Sequence, residues 1–348
     1  MIIKFYRAEC GDAARVSYIG TDSKSYNLFI DSGYNRTFKY VLDEEIKSIE
    51  ASNQKIDLWL ISHVHDDHIG GVEKYIKKIV YGEFRDLVAT WYFNPPRDYR
   101  ISDVRIDLNQ ISKASSIGQG DDLYQYLKKN NKLLGSDITT ELATQNFGGL
   151  KISILSPTPE KLMDLRDKYP IELALPFERN ELASLSEPVS FVASDYDTPL
   201  ENFDLEDWEE DISKENGSSI SLLTDFEGKV ILWLADSHPS DIVQSLNQMG
   251  YTPENKLKCD LVKVSHHGSK KNNSNELYDI INCSKYIISA NGENRSKLPT
   301  KKCLGTIIRN RNRNIGIHYE FYFTYDNQTL RGIFNNDPKT IFTKWNFS

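Results

Sequence analysis

The run His63-Val64-His65-Asp66-Asp67-His68-Ile69-Gly70-Gly71 places three of the chain's seven histidines and two carboxylates within six positions. Imidazole nitrogen and carboxylate oxygen are the donors that zinc and similar divalent ions favour, and near pH 7 they are available in neutral and ionised form respectively. On a turn, His63 and His65 point to one side while Asp67 and His68 turn towards a second point a few Å away, so that one loop can serve two metals. Gly70 and Gly71 allow the backbone to bend closely, and a helix is predicted to begin at Val72.

Such a loop needs strands to deliver it. The apolar run Ile56 to Ser62 precedes it directly, and short runs rich in β-branched and aromatic residues at Ile2–Tyr6, Ala14–Ile19 and Tyr26–Ile30 read as an antiparallel meander. Helical spacing of Phe38, Val41, Leu42, Ile46 and Ile49 predicts a helix over Thr37–Ile49. Further strands are expected at Val88–Phe93, Lys151–Leu155, Ser219–Thr224, Val230–Ala235, Leu261–Val264 and Lys285–Ala290, with helices at Asp121–Lys129, Asp241–Met249 and Asn275–Ile281. Chemistry in α/β folds gathers beyond the carboxyl ends of strands. Four predicted strands end in residues of ligand type: Asp31, the histidine loop, Asp236, and His266-His267.

The rest of the composition narrows the class. With 348 residues, 39% hydrophobic, 11% aromatic and 26% charged, the chain can bury a substantial core and shows no repeat or low-complexity bias. We read it as one domain, residues 1–348, with an insertion at about 169–214 and a basic segment at about 294–319. A net charge of −8 argues against a generally basic nucleic-acid surface. Cys10, Cys259, Cys283 and Cys303 are scattered, as expected of unpaired thiols in a reducing compartment, and no apolar run is long enough to span a bilayer. These features predict a cytoplasmic protein without a membrane partner. Between Asp195 and Glu215 the insertion holds ten acids against the single base Lys214, either a solvated loop or a negative flap that gates the site or docks a protein partner. Trp91, Tyr92 and Phe93 have the spacing of core aromatics, although such rings also stack on bases.

His63-x-His65-x-Asp67-His68, then Asp236 after an apolar strand, then His266-His267-Gly268-Ser269 together resemble the metallo-β-lactamase fold superfamily. Gly11-Asp12-Ala13, Asp31-Ser32-Gly33, Asn216-Gly217-Ser218-Ser219 and Leu261-Val262-Lys263-Val264 narrow the resemblance to the soluble hydrolase domain of ComEC-type competence proteins and related metallo-hydrolases. It covers most of the chain. The resemblance implies an α/β (α+β) fold, a four-layer αββα sandwich with the acidic stretch as an insertion. It also implies a dinuclear site holding two divalent ions, zinc or alternatively manganese. By motif, His63 and His65 hold the first ion, Asp67 and His68 the second, Asp236 bridges, and His266 completes the second site. Many members carry a further histidine on the first ion where this chain has Asn216, which leaves that ion short of a protein ligand. His238 is an additional candidate ligand or proton donor, and His267, Lys263 and Lys270 are candidate general acids.

A hydroxide bridging two such ions would act as the nucleophile, with Asp67 and Asp236 orienting it and His267 assisting catalysis. This chemistry suits phosphodiesters, thioesters, esters and lactones alike. The ComEC-like pattern favours a phosphodiesterase or nuclease. So does local charge: Arg295, Lys297, Lys301, Lys302, Arg309, Arg311 and Arg313 lie in a stretch without an acid, which could meet a nucleic acid or nucleotide substrate. Alternatives are a small-molecule ester, thioester or lactone hydrolase and a partner-dependent component of a DNA-uptake or defence system.

Overall fold

Two sheets face one another, and the alternation of side chains along their strands shows why. In β4 (Leu58–Leu60), Leu58 and Leu60 point into the space between the sheets, while Trp59 points to the opposite face and stacks on Trp91 with ring centroids 5.2 Å apart. A computed structural model describes residues 1–99, 116–170, 193–313, 316–338 and 343–347. Residues 171–192 of the expected insertion and 314–315 of the basic segment lie outside that range.

The first sheet runs β1 (Ile2–Phe5), β2 (Ala14–Ile19), β3 (Ser25–Ile30), β4 and β5 (Trp91–Tyr92) in sequential order. It is antiparallel from β1 to β3 and parallel from β3 to β5. The second sheet takes up β6 (Gln145–Phe147), β7 (Leu150–Ser156), β8 (Ser221–Phe226) and β9 (Lys229–Trp233), antiparallel to one another. Apart from these, β10 (Leu257–Lys258) and β12 (Ile281–Asn282) form a small parallel pair. From β9 the second sheet continues in parallel through β11 (Leu261–Lys263), β13 (Lys285–Ile288), β14 (Tyr319–Phe323) and β15 (Thr343–Phe347).

Three buried clusters give the layering. One lies between the sheets, where Leu58, Leu60 and Tyr92 meet Ile152, Leu222 and Trp233. A second joins the outer face of the first sheet to the helices Asp43–Ala51, Asp66–Val80 and Ser116–Lys129 through Trp59, Ile46, Tyr75 and Leu123. The third joins the second sheet to the helices Pro239–Gln248, Asn275–Asp279 and Lys301–Ile308 through Leu232, Val262, Ile242 and Leu304. Helix, sheet, sheet, helix is the αββα order that the resemblance implied.

Several local expectations need correcting. The helix expected at Thr37–Ile49 is continuous from Asn35 to Ala51 but passes through a π-helical segment, Phe38–Leu42. The helix after the histidine loop starts at Asp66, not Val72, so Gly70 and Gly71 lie inside it. Close approach accounts for Gly71: a Cβ there would stand 2.4 Å from the Ser32 carbonyl oxygen. Trp91, Tyr92 and Phe93, by contrast, are buried in the core as their spacing predicts, and do not form a base-stacking surface. All four cysteines are free thiols, and among the described residues no helix is long and apolar enough to cross a membrane.

Candidate metal centre

Both sheets deliver their ligand residues to one edge. Asp31 follows β3, the histidine loop follows β4, Asp236 follows β9, and His266 and His267 follow β11. The backbone turns sharply at these points: φ is +56° at Asp31, +44° at Ala235, +45° at His266 and +54° at His267. Left-handed conformations cost an L-residue about 1–2 kcal/mol each, so strain gathers where side chains must be aimed. The His266 amide, donating to the Ala235 carbonyl at 2.7 Å, helps hold the turn.

Asp236 is buried and divides its carboxylate between two groups. Its Oδ1 lies 3.4 Å from His68 Nε2 and 3.7 Å from His267 Nε2. Asp67 Oδ2 closes that group, 3.8 Å from His68 Nε2 and 3.2 Å from His267 Nε2. The other oxygen, Oδ2, lies 3.8 Å from His63 Nε2 and 3.6 Å from His266 Nε2, and His65 Nδ1 approaches His63 Nε2 to 2.9 Å. Asp67, His68 and His267 thus surround one oxygen of the shared aspartate; His63, His65 and Asp236 lie within 4.8 Å of one another at the other, which His266 also approaches. The adjacent histidines depart from the places expected of them: His267, expected to assist catalysis, faces the Asp67–His68 group, and His266, expected there, turns to the other oxygen of Asp236, on the side of His63 and His65. Two consecutive left-handed residues separate the rings, whose planes lie 79° from parallel.

The donor set fits a divalent cation. His68 Nε2, His267 Nε2 and Asp236 Oδ1 are buried and have no hydrogen-bond partner among the described residues. Burying a polar atom unpaired costs about 1–3 kcal/mol, and these three converge on one point. The opposite edges of the rings are fixed, as ligand histidines require. His68 Nδ1 donates to Asp31 Oδ2 at 2.8 Å, His267 Nδ1 to the Ser289 carbonyl at 3.0 Å, and His63 Nδ1 to Ser62 Oγ at 3.1 Å. Ser62 Oγ in turn donates to Asp31 at 2.8 Å.

Electrostatics favour positive charge at the same point. Burial is the largest single influence on His68 and His267 and would drive protons off both. The neighbouring groups together outweigh it, Asp236 first at each, then Asp31 and Asp67 at His68 and Cys10 and Asp12 at His267, and both rings are pushed well above the usual histidine range. Burial would also raise Asp67 and Asp236, yet His68 and His267 at the first and His266, His68 and His267 at the second hold both below the usual carboxylate range. Burial lowers His63 and His65, keeping them in the neutral form that ligates metal. Asp12 lies within 4.8 Å of His68, Asp236 and His267, which makes it a rival to Asp67 as a ligand. It stands on the Nδ1 side of His267 at 3.4 Å and pairs with Lys263, so it belongs behind the imidazoles, whereas Asp67 faces their Nε2 edge.

The remaining candidates lie away from this point. His238 packs on Gly217 with its Nδ1 3.3 Å from Lys161 Nζ, outside both ligand groups. Lys263 is buried against Asp12, and His267 is turned inward, so neither stands at the open side as a general acid. Asn216 Nδ2 bonds Asp211 and lies 3.4 Å from His266 Nδ1, while its buried Oδ1 has no hydrogen-bond partner among the described residues. Sequence reasoning marked Asp31 only as a strand-end residue of ligand type and Asp12 only within a motif, and it assigned no role to Asp211 or Asn272. The first two lie in motifs that were visible as strand-end turns, while Asn272 had no signal beyond following His266 by six residues.

A family model described as Anti-Pycsar protein Apyc1 matches residues 15–89. No curated protein matches the chain in sequence. Among solved structures, the metallo-β-lactamase fold protein YhfI from Bacillus subtilis is 13% identical, with 99% of this chain and 96% of that one aligned and a TM-score of 0.43. A variant of CmlA β-hydroxylase is 12% identical over 88% of this chain and 49% of that one, with a TM-score of 0.38. The MIM-2 metallo-β-lactamase is 12% identical over 75% and 76%, with a TM-score of 0.31. The architecture described above rests on its own strand order and layering.

Proposed function

We propose that this chain is a metal-dependent hydrolase whose preferred substrates are phosphodiesters. The observation that carries the reading is the division of Asp236 between two facing ligand groups, His63-His65-His266 and Asp67-His68-His267. Two divalent ions bound there, zinc or manganese, would supply Lewis acidity and a water activated at neutral pH. The chain's own residues do the rest. Asp67 and Asp236 orient the nucleophile, and Asp67, whose side chain is 20% exposed, can accept its proton on the open side. With His267 and Lys263 engaged inside, the exposed Lys270 is the remaining candidate to protonate the leaving group.

The phosphodiester preference rests mainly on the motif resemblance to ComEC-type hydrolases. The basic segment supports it less than its sequence implies. Arg309 donates to the Leu200 and Phe203 carbonyls, Arg311 pairs with Asp279, Arg313 donates to the Ile308 carbonyl, and Lys301 is buried against Asp337 at 2.6 Å. A second reading, a component of a multi-protein defence or DNA-uptake system, draws support from the match of residues 15–89 to an anti-Pycsar family. To test the activity, purified protein loaded with zinc or manganese is offered labelled single-stranded DNA, RNA, a chromogenic phosphodiester and a lactone, with Asp67→Ala and Asp236→Ala as controls. Cleavage of phosphodiesters that is lost in both variants is expected. Turnover of the lactone alone would replace the phosphodiester reading with the small-molecule one, and two bound ions without turnover would favour the partner-dependent reading.

A further inference from the structure

The acidic stretch before Asn216 admits two readings, a solvated loop or a flap, yet it is fastened to the ligand loop. Trp208 Nε1 donates to the Lys270 carbonyl at 2.7 Å, and the Asp211 amide donates to the Lys271 carbonyl at 3.1 Å. Glu210 accepts from the amide and hydroxyl of Ser240 at 2.9 and 3.0 Å. These contacts bring the Asp211 carboxylate beside His266.

Two groups face His266 Nδ1, the donor Asn216 Nδ2 at 3.4 Å and Asn272 Oδ1 at 2.8 Å, and the shorter contact decides the arrangement. Asn272 is fully buried, and its Nδ2 donates to Asp211 Oδ2 at 3.0 Å and to the Asp236 carbonyl at 3.1 Å. Both amide hydrogens are thereby engaged, and Asn272 Oδ1 is left to accept from His266 Nδ1 at 2.8 Å. That bond requires the proton on Nδ1 and leaves the Nε2 lone pair on the side of Asp236 Oδ2. Asp211 Oδ2 also accepts from Asn216 Nδ2, and its Oδ1 accepts from the Ser213 amide at 3.0 Å. Without the carboxylate, the Asn272 amide could rotate and offer Nδ2 to His266, which would move the ring proton to Nε2 and abolish its ligand atom. His266 needs such a hold, because its side chain is 26% exposed and its backbone is left-handed.

We propose that Asp211 is a positioning residue of the metal centre: through Asn272 it fixes the ring orientation and tautomer of His266, making this histidine the third imidazole of the His63–His65 site. The inference rests on the two-ion reading above. It assigns the acidic segment a part in building the site.

Metal-free protein is titrated with cobalt(II), followed by its visible absorption, and with zinc against a chromogenic chelator. Wild type should take up two ions. Asp211→Ala and Asn272→Leu should each weaken one site by about 10–100-fold, the usual effect of removing an outer partner of a ligand, and leave the other unchanged. Asp211→Asn keeps an acceptor for Asn272 and should bind like wild type, and His266→Ala should lose the same site. Wild-type affinity at both sites in Asp211→Ala, with one site lost in His266→Ala, overturns the proposal. A wild-type protein that binds no ion overturns the two-ion reading as well. Wild-type protein gives an independent reading should a variant not fold: the histidine-selective 15N spectrum with zinc should show His266 protonated at Nδ1, and protonation at Nε2 overturns the inference.

Discussion

Asp236 offers one oxygen to each ligand group, so its removal and that of Asp67 should differ in kind. Asp236→Ala is expected to abolish tight binding of both ions, whereas Asp67→Ala should lose one and keep the other, as measured by metal content after dialysis. Glu215 allows a different test at the same scale. Burial would raise its carboxyl, but Lys168 at 2.8 Å and the Tyr169 hydroxyl pull it down to about 2. A carboxylate with a depressed folded value adds stability above its unfolded value of about 4.5, and loses it as pH falls through about 2. Glu215→Gln should therefore destabilise the protein by on the order of 2 kcal/mol at pH 7 and by much less near pH 2, read from denaturant midpoints at both values. At this scale the sequence shows residue types and not directions. His63 to His68 were legible because their spacing is local. Which of His266 and His267 joins which group depends on two left-handed φ angles that no side-chain pattern announces.

Elements aim these side chains through close backbone contacts. The helix Asp66–Val80 lies against the turn after β3 and the segment before β2, whose Ser32 and Asp12 amides donate to the carbonyls of His68 and Asp67 at 2.8 and 3.0 Å. Gly71→Ala would drive a methyl group into the Ser32 carbonyl. The expected cost is about 1–3 kcal/mol of stability, with weaker ion binding because Asp67 and His68 ride on the same helix; chemical denaturation and metal titration check the two parts. Strands were largely legible, since a continuous apolar run marks Leu58 to Leu60 and alternation marks β2. The start of this helix was not, because glycines that read as a flexible bend serve a tight packing contact inside it. The acidic segment was legible only as charge. Its carboxylates serve distant partners: Asp195 accepts from the amides of Lys301 and Lys302 at 2.8 and 2.9 Å, and Glu206 accepts from Asn275 at 3.3 Å.

Across the whole molecule, the ligands come from both sheets. His63, His65, Asp67 and His68 belong to the first, and Asp236, His266 and His267 to the second. Ions bound between them should stabilise the native state by mass action, about 4 kcal/mol for a site filled at a thousand times its dissociation constant. Removing the metal with a chelator should lower the melting temperature, and adding zinc back should restore it; an unchanged melting curve would count against the two-ion reading. The four-layer order was legible from the motif resemblance, whereas the internal use of the basic segment was not, because its partners Asp279, Leu200 and Asp337 lie far away in sequence. The core between the sheets acquires a second meaning from this shared edge. Leu60 and Trp233 set the spacing of two jaws, so a methylene lost in their midst, with every ligand intact, should shorten the residence time of an ion gripped at the rim.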